Sequence, residues 1–271
     1  MRHRGQNAIL GVVLAATSLL FVFPILWMLL TAIKPKNEIF ERTLQLIPSV
    51  AWHNFAHTWT TFPVGYWLFN STVLAIMGGA LTITLDLLAG YAFAKFQFRG
   101  RDLLFVVFLC TLMLPTQVFI VPQFMTIAAL GGINKFWAVL LPRAAETYGV
   151  FLARQFLQSF PDELLDAARL DGASEWKIFF RIVLPLSKPA IAVLAVLLVL
   201  GNWNDFGWPL VVLKDENSYT LPVGLSILQG ERNPDISGMM IIVLISILPV
   251  TILFVALQRY FVQGISRTGI K

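Results

Sequence analysis

Six long apolar runs separated by shorter polar breaks set the pattern of this chain: Ala8–Ile33, Leu68–Phe93, Leu103–Ala129, Phe136–Phe156, Leu186–Leu213 and Gly238–Val262. Each reaches the roughly 20 residues that a helix needs to cross the hydrocarbon core of a bilayer. Backbone polar groups cannot face lipid unpaired, so the runs are predicted as helices. The fold class expected is all-α: a polytopic membrane protein with six transmembrane helices, one domain over residues 1–271. The first run follows Arg2-His3-Arg4, is too long for a signal-peptide core of about 7–15 residues, and lacks a small-residue cleavage site. It is read as an uncleaved first span with Pro24 inside it, and Pro115 and Pro122 interrupt the third run.

One polar break, residues 159–185, is not loop-like. Ser159 and Asp162 stand in a Ser-x-x-Asp arrangement, and Pro161, Asp162 and Glu163 suit a first helical turn. A capping hydroxyl, a proline where no donor is needed and acids at the positive end of the dipole all favour a helix start. Gly172 supplies a stop, and Ser174-Glu175 can open a second short helix that ends before Pro185. The pattern predicts a folded helix-turn-helix on one side of the membrane.

Charge bears on which side. Charged residues make up 13% of the chain, about half the roughly 25% of a soluble domain. The net charge of +5 is read through topology before nucleic-acid binding, because Lys and Arg gather on the cytoplasmic face. With the N-terminus inside, seven of the 20 Lys and Arg fall outside (Lys34, Lys36, Arg42, Lys135, Arg143, Lys214, Arg232) and the other 13 inside. That excess predicts both termini, and the stretch at 159–185, in the cytoplasm. The outer break from Lys34 to Tyr66 carries Trp52, Phe55, Trp59 and Phe62, which suit the headgroup region or a protein surface. Cys110 is the one cysteine and has no intrachain partner.

Asp166-Ala167-Ala168-x-x-x-Gly172, followed at fixed spacing by Ile182-x-Leu184-Pro185, resembles the EAA loop of ABC importer permeases. Asp166 stands where the family usually has Glu. The resemblance extends to Asn70-Ser71, Gly90-Tyr91-Ala92-Phe93-Ala94, Trp203-Asn204-Asp205-Phe206, the run Tyr219 to Leu225, and the ending from Gln258 to Gly264. These features are similar to the maltose-permease-like second subunit of the carbohydrate-importer permeases. The usual small-residue tail is replaced by Ser266-Arg267-Thr268-Gly269-Ile270-Lys271. The resemblance implies a coupling helix that docks on an ATP-binding subunit, with Leu164, Asp166, Ala167, Ala168, Asp171, Gly172 and Ala173 at the contact. It also implies a heterodimer with a second permease, two ATP-binding subunits, and a solute-binding protein met outside by Gln229, Gly230, Glu231, Arg232 and Asn233. Leu164, Leu165, Trp176, Phe179 and Phe180 offer apolar faces for the permease body or a partner. The alternative for this stretch is an amphipathic helix lying on the membrane surface.

No Gly-x-x-x-x-Gly-Lys-Ser/Thr phosphate loop is present, so the chain is not expected to be an enzyme. ATP and Mg are expected on partner subunits, with no cofactor and no metal in this chain. Ionisable groups inside spans point to function. Asp86 and Glu146 fall at similar depth, about 12–13 Å from the same end of their helices. Arg143 is three residues from Glu146, the spacing of a helical pair. With Gln117, Asn202, Trp203, Asn204 and Asp205 these residues either line a polar path for a sugar or pair internally to hold helices together. His53 and His57 lack a third ligand and are read as a surface pair rather than a metal site. Two further classes remain open: a stand-alone ion-coupled transporter using Asp86 or Glu146, and a permease for glycerol-phosphate or polyols. No nucleophile–base set supports a membrane enzyme.

Overall fold

The structure, a computed structural model, describes residues 2–39, 49–232 and 234–268, with side chains over 10–35, 38–39, 49–232 and 234–258. Asn233, Arg42 and the side chains of the C-terminal tail lie outside these residues. The described chain is helical throughout, with no strand among the described residues. In order, the main helices are α1 (Arg2–Ala32), α2 (His53–Thr61), α3 (Val64–Lys95), α4 (Arg101–Cys110), α5 (Ile120–Ala129) and α6 (Phe136–Leu140). They continue as α7 (Thr147–Gln158), α8 (Asp162–Leu170), α9 (Glu175–Ile178), α10 (Lys188–Trp203), α11 (Gly207–Val212), α12 (Leu221–Gln229) and α13 (Ile236–Thr268).

The apolar runs become helices, but not six uninterrupted spans. Among the described residues four helical stretches are long and apolar enough to cross a membrane: Leu10–Ala32, Val64–Lys95, Lys188–Val212 and Ile236–Gln258. A fifth arises if Arg101–Met113 and Thr116–Ala129, bent by 95° at Pro115, count as one span. The fourth predicted run is in pieces, because Leu141-Pro142-Arg143 tightens into a 3₁₀ turn and Glu146 is extended at φ −118°, ψ 127°. Proline supplies no N–H and clashes with the preceding turn, so a helix through Pro142 breaks.

Helix α3 is the centre of the body, packed by α7 on one side and α10 on another. Small residues permit the close crossing with α7, as is common between helices in membranes. A Cβ on Gly90 would come within 2.6 Å of Ala153 Cβ, and one on Gly149 within 1.8 Å of Asp86 Oδ2. Asn70 and Ser71 fasten α3 to the segment before α12. The Asn70 amide donates to the carbonyls of Asn217 (2.8 Å) and Tyr219 (3.0 Å), and Ser71 Oγ accepts from the Leu221 N–H. At the same end, Asn54 Nδ2 donates to the carbonyls of Ala32 and Lys34, tying α2 to the end of α1. The apolar core has three parts. One joins Leu87 and Tyr91 to Leu157, Leu165, Phe179 and Leu194; the others centre on Trp67 with Trp203 and on Trp208 with Val139. The described part of α1 stays outside all of them and packs chiefly on α13.

The predicted helix-turn-helix is present, with two corrections. Ser159 does not cap α8: its hydroxyl donates back to the Phe156 carbonyl at 2.6 Å and closes α7, while Pro161 occupies the position before Asp162. The second helix does not stop before Pro185. From Glu175 the chain runs as α9, a π-helical turn at Phe179–Val183 and a short turn at Leu184–Leu186. Ser187, at φ −81° and ψ 4°, then links it to α10, its N–H bonded to the Val183 carbonyl and its carbonyl to the Ile191 N–H. Pro185 is tolerated because it falls one residue into that turn, where its missing N–H costs little.

Candidate functional site

Three helix breaks meet at one polar cavity of about 510 Å³. The bend after Leu114 brings Thr111, Thr116 and Gln117 to one wall, with Gln123 from the first turn of α5. The break before α7 brings Arg143, Glu146 and Thr147, and the end of α10 brings Asp205 with Trp208 of α11. Irregular backbone at membrane depth is stable only where it lines such a cavity or is buried in protein. The breaks and the cavity are therefore one feature.

Asp86 holds the break before α7 open. Its side chain is fully buried, and its Oδ1 accepts the Glu146 N–H at 2.9 Å, satisfying a donor at the start of α7. Thr82, one turn earlier on α3, donates its hydroxyl to the Arg143 carbonyl at 2.7 Å. Both bonds draw the 143–146 backbone against α3, which turns the Arg143 and Glu146 side chains toward the opening.

The structure divides the predicted pathway residues. Gln117, Arg143, Glu146 and Asp205 line the cavity. Asp86 does not: it sits in the α3–α7 interface. Trp203 is buried among Trp67, Ala75 and Ile242. Asn202 faces α3, where its amide lies 3.0 Å from the position of a Gly78 Cβ, and Asn204 Nδ2 bonds the Leu200 carbonyl. Arg143 is not paired with Glu146, because the helical spacing assumed for them is broken; its Nη1 lies 3.2 Å from Asp205 Oδ2 instead. Thr111, Thr116, Gln123 and Thr147 join the cavity without having stood out in the sequence. Their signal was the clustering of Pro115, Pro122 and Pro142 beside short polar residues.

At the other end of the body, α8 presents Leu164, Asp166, Ala167, Asp171 and Gly172 at the surface, with Ala168 and Ala173 half-buried. The apolar set divides: Leu165 and Phe179 are buried in the core, whereas Leu164, Trp176 and Phe180 are exposed, as is Leu170 at 90%. A chain of polar contacts fixes this element. Arg169 Nε donates to Glu175 Oε1 at 2.7 Å, its Nη1 to Asp166 Oδ1 at 2.8 Å, and the Tyr91 hydroxyl to Glu175 Oε2 at 2.9 Å. Lys95, the last residue of α3, donates to Asp162 and to the Phe160 carbonyl, both at 2.6 Å. Gly172 adopts φ +76°, and no atom lies within 4 Å of where a Cβ would stand, so only the left-handed backbone demands glycine there. Gly172→Val is expected to strain the turn by about 1–2 kcal/mol. Membrane insertion should be unchanged while residues 171–175 gain hydrogen exchange; unchanged exchange would count against a strained turn.

The Arg169 hydrogen bond holds the Glu175 carboxyl below the usual carboxylate range, and Lys95 does the same for Asp162. A depressed carboxyl pKa contributes stability above its unfolded value, about 4, that is lost only as pH falls through the folded value. Protection of residues 159–175 from proteolysis should therefore be flat from neutral to mildly acidic pH and fall only in strong acid. A midpoint near neutrality would contradict these ties. Gln229, Gly230, Glu231 and Arg232 close α12 at the surface. His57 faces Asp235 at 3.8 Å, and no group of His, Cys, Asp and Glu able to hold a metal occurs among the described residues.

Residues 86–267 match the family described as the binding-protein-dependent transport system inner membrane component. The chain is 35% identical to the arabinooligosaccharides transport system permease protein AraQ of Bacillus subtilis, covering 100% of this chain and 99% of that one. It is 33% identical to the lactose transport system permease protein LacG of Rhizobium radiobacter, covering 97% and 96%. It is 35% identical to the sn-glycerol-3-phosphate transport system permease protein UgpE of Pectobacterium atrosepticum, covering 97% of each. The fold is similar to a chain in the crystal structure of a bacterial ABC transporter involved in the import of the acidic polysaccharide alginate. That match has a TM-score of 0.84 over 95% of this chain and 97% of the other, at 22% identity.

Proposed function

Because the chain belongs to the family of binding-protein-dependent transport system inner membrane components, we propose that it carries a carbohydrate as one permease half of an ATP-driven importer. A permease of this family is a multi-pass membrane transport protein and not an enzyme. The observation that carries the carbohydrate reading is the cavity at the three helix breaks, where hydroxyl, amide and charged side chains stand on a partly apolar wall inside an otherwise apolar helical body. The relatives named for arabino-oligosaccharides and lactose support the same substrate class.

In this reading ATP is hydrolysed on two separate subunits, which hold the nucleotide and its Mg, and a second permease completes the pathway. Helix α8 is the coupling helix. Its exposed Leu164, Asp166, Ala167, Asp171 and Gly172 form the contact, and the polar chain through Arg169, Glu175 and Tyr91 ties that contact to α3. Closure of the ATPase pair moves the two coupling helices together and rocks the helical body between inward- and outward-facing packings. The excess of Lys and Arg on one side supports cytoplasmic termini and a cytoplasmic α8. Gln229 to Arg232 then face the solute-binding protein. The UgpE-like identity supports glycerol phosphate as a second substrate reading.

The test is reconstitution of the chain in proteoliposomes with a second permease, ATP-binding subunits and a solute-binding protein. Uptake of lactose or an arabino-oligosaccharide should require ATP inside. Uptake by this chain alone, driven by an ion gradient, would replace the importer reading with a secondary transporter.

A further inference from the structure

We infer that this chain itself supplies a subsite for uncharged polyhydroxyl solutes, and that pairing of Arg143 with Asp205 leaves the subsite unable to hold an anion. The inference rests on the carbohydrate-permease reading and narrows it.

An unpaired arginine in a solute path is suited to phosphate or carboxylate, because its guanidinium offers a fork of donors. Arg143 is the one cation lining the cavity among the described residues. Its Nη1 is engaged by Asp205 Oδ2 at 3.2 Å. The Asp205 side chain is only 12% exposed, and it stands in the short link between α10 and α11, which keeps it beside the guanidinium. Glu146 adds a carboxylate to the same wall, and no hydrogen bond or ion pair engages its side chain among the described residues. The fixed charge facing a solute is thus one positive group already neutralised and one negative group in excess. An entering phosphate or uronate meets repulsion without a free cation to offset it.

The remaining polar lining suits hydroxyl groups. The side-chain amides of Gln117 and Gln123 have no partner among the described residues, and each presents both donors and an acceptor. Thr111 and Thr147 share a hydrogen bond of 2.8 Å between their hydroxyls, which leaves further donor and acceptor capacity toward the cavity. A sugar hydroxyl both donates and accepts, so it can satisfy either kind of group. Phe119, 38% exposed in the same wall, offers a ring for the apolar face of a pyranose. Few polar groups on a partly apolar wall, in a space of about 510 Å³, is the make-up of a small-molecule site.

The experiment uses the complete transporter in proteoliposomes with the exposed native cysteine removed (Cys110→Ser) and single reporters Leu114→Cys and Ile120→Cys, which line the cavity without supplying a polar group. N-ethylmaleimide labelling of each reporter is timed with lactose, an arabino-oligosaccharide or sn-glycerol 3-phosphate present, and uptake of each solute is measured in parallel. The expected result is at least fivefold slower labelling with a transported neutral sugar and no change with glycerol phosphate. If a neutral sugar is taken up yet protects neither reporter, the subsite is overturned while the carbohydrate-permease reading stands. If glycerol phosphate is transported and protects, the exclusion of anions is overturned. If no sugar is taken up, the carbohydrate reading fails and the subsite with it.

Discussion

Replacing Gly149 with alanine is expected to be among the most destabilising single substitutions in this chain. The added Cβ would sit 1.8 Å from Asp86 Oδ2 and 2.7 Å from its carboxyl carbon, well inside any real contact. Asp86 cannot yield cheaply, because it is fully buried and its other oxygen holds the Glu146 N–H. Overpacking of this kind usually costs about 1–3 kcal/mol, and loss of the bond to Glu146 adds roughly 1–3 kcal/mol for an unsatisfied buried group. Unfolding of the detergent-solubilised protein should shift accordingly. The double substitution Gly149→Ala with Asp86→Ala removes the clash, so the two changes should be strongly non-additive. If the double variant is less stable than Gly149→Ala by the full cost of Asp86→Ala, the clash is not the cause.

The largest expected loss of activity without loss of the body follows from Glu175→Ala. Glu175 accepts from Arg169 and from Tyr91 at once, bridging α8 to α3 beside the direct tie of Lys95 to Asp162. The Arg169 pair is more than a third exposed on both sides, and such pairs are worth little in water. The Tyr91 hydroxyl belongs to a residue that is only 4% exposed. Leaving it without an acceptor costs about 1–3 kcal/mol. On the importer reading, ATP-driven uptake should fall about tenfold or more while ATP hydrolysis falls less, because α8 keeps its Lys95–Asp162 tie but loses the bridge from Arg169 to Tyr91. Glu175→Gln keeps an acceptor for Tyr91 and should retain most of the coupling. Equal loss of uptake in both variants would place the effect on the Arg169 charge instead, and unchanged coupling in both would remove Glu175 from the transmission.

The long-range pattern of the fold was readable because hydrophobicity over 20 residues is a strong signal. Continuity within a run was not. Averaging over Phe136–Phe156 hides Pro142, and the extended backbone at Glu146 is set by Asp86, a residue 60 positions away. The same non-local contact explains the missed pairing. A spacing of three makes Arg143 and Glu146 neighbours only on an intact helix, and the break hands Arg143 to Asp205. Asn202 and Trp203 share the polar run with Asp205, yet α10 turns them toward α3 and only the residue beyond its end reaches the cavity. The turn at Gly172 and the start at Ser174 were legible because they depend on local chemistry, a positive φ and a hydroxyl that accepts the Lys177 N–H. The role of Ser159 was not, since a hydroxyl between two helices can serve either and the geometry of α7 decides.

The passage of the chain through Pro185 has a mechanical consequence. From Glu175 to Trp203 the backbone runs as successive helical turns, about 40 Å at 1.5 Å per residue, with a π-helical turn at Phe179–Val183 and a step at Ser187, φ −81° and ψ 4°. One tip bears Glu175; beyond the other, Asp205 meets Arg143. On the importer reading, a tilt of the Glu175 tip that these turns pass on would reach the cavity as a change in reach across that single ion pair.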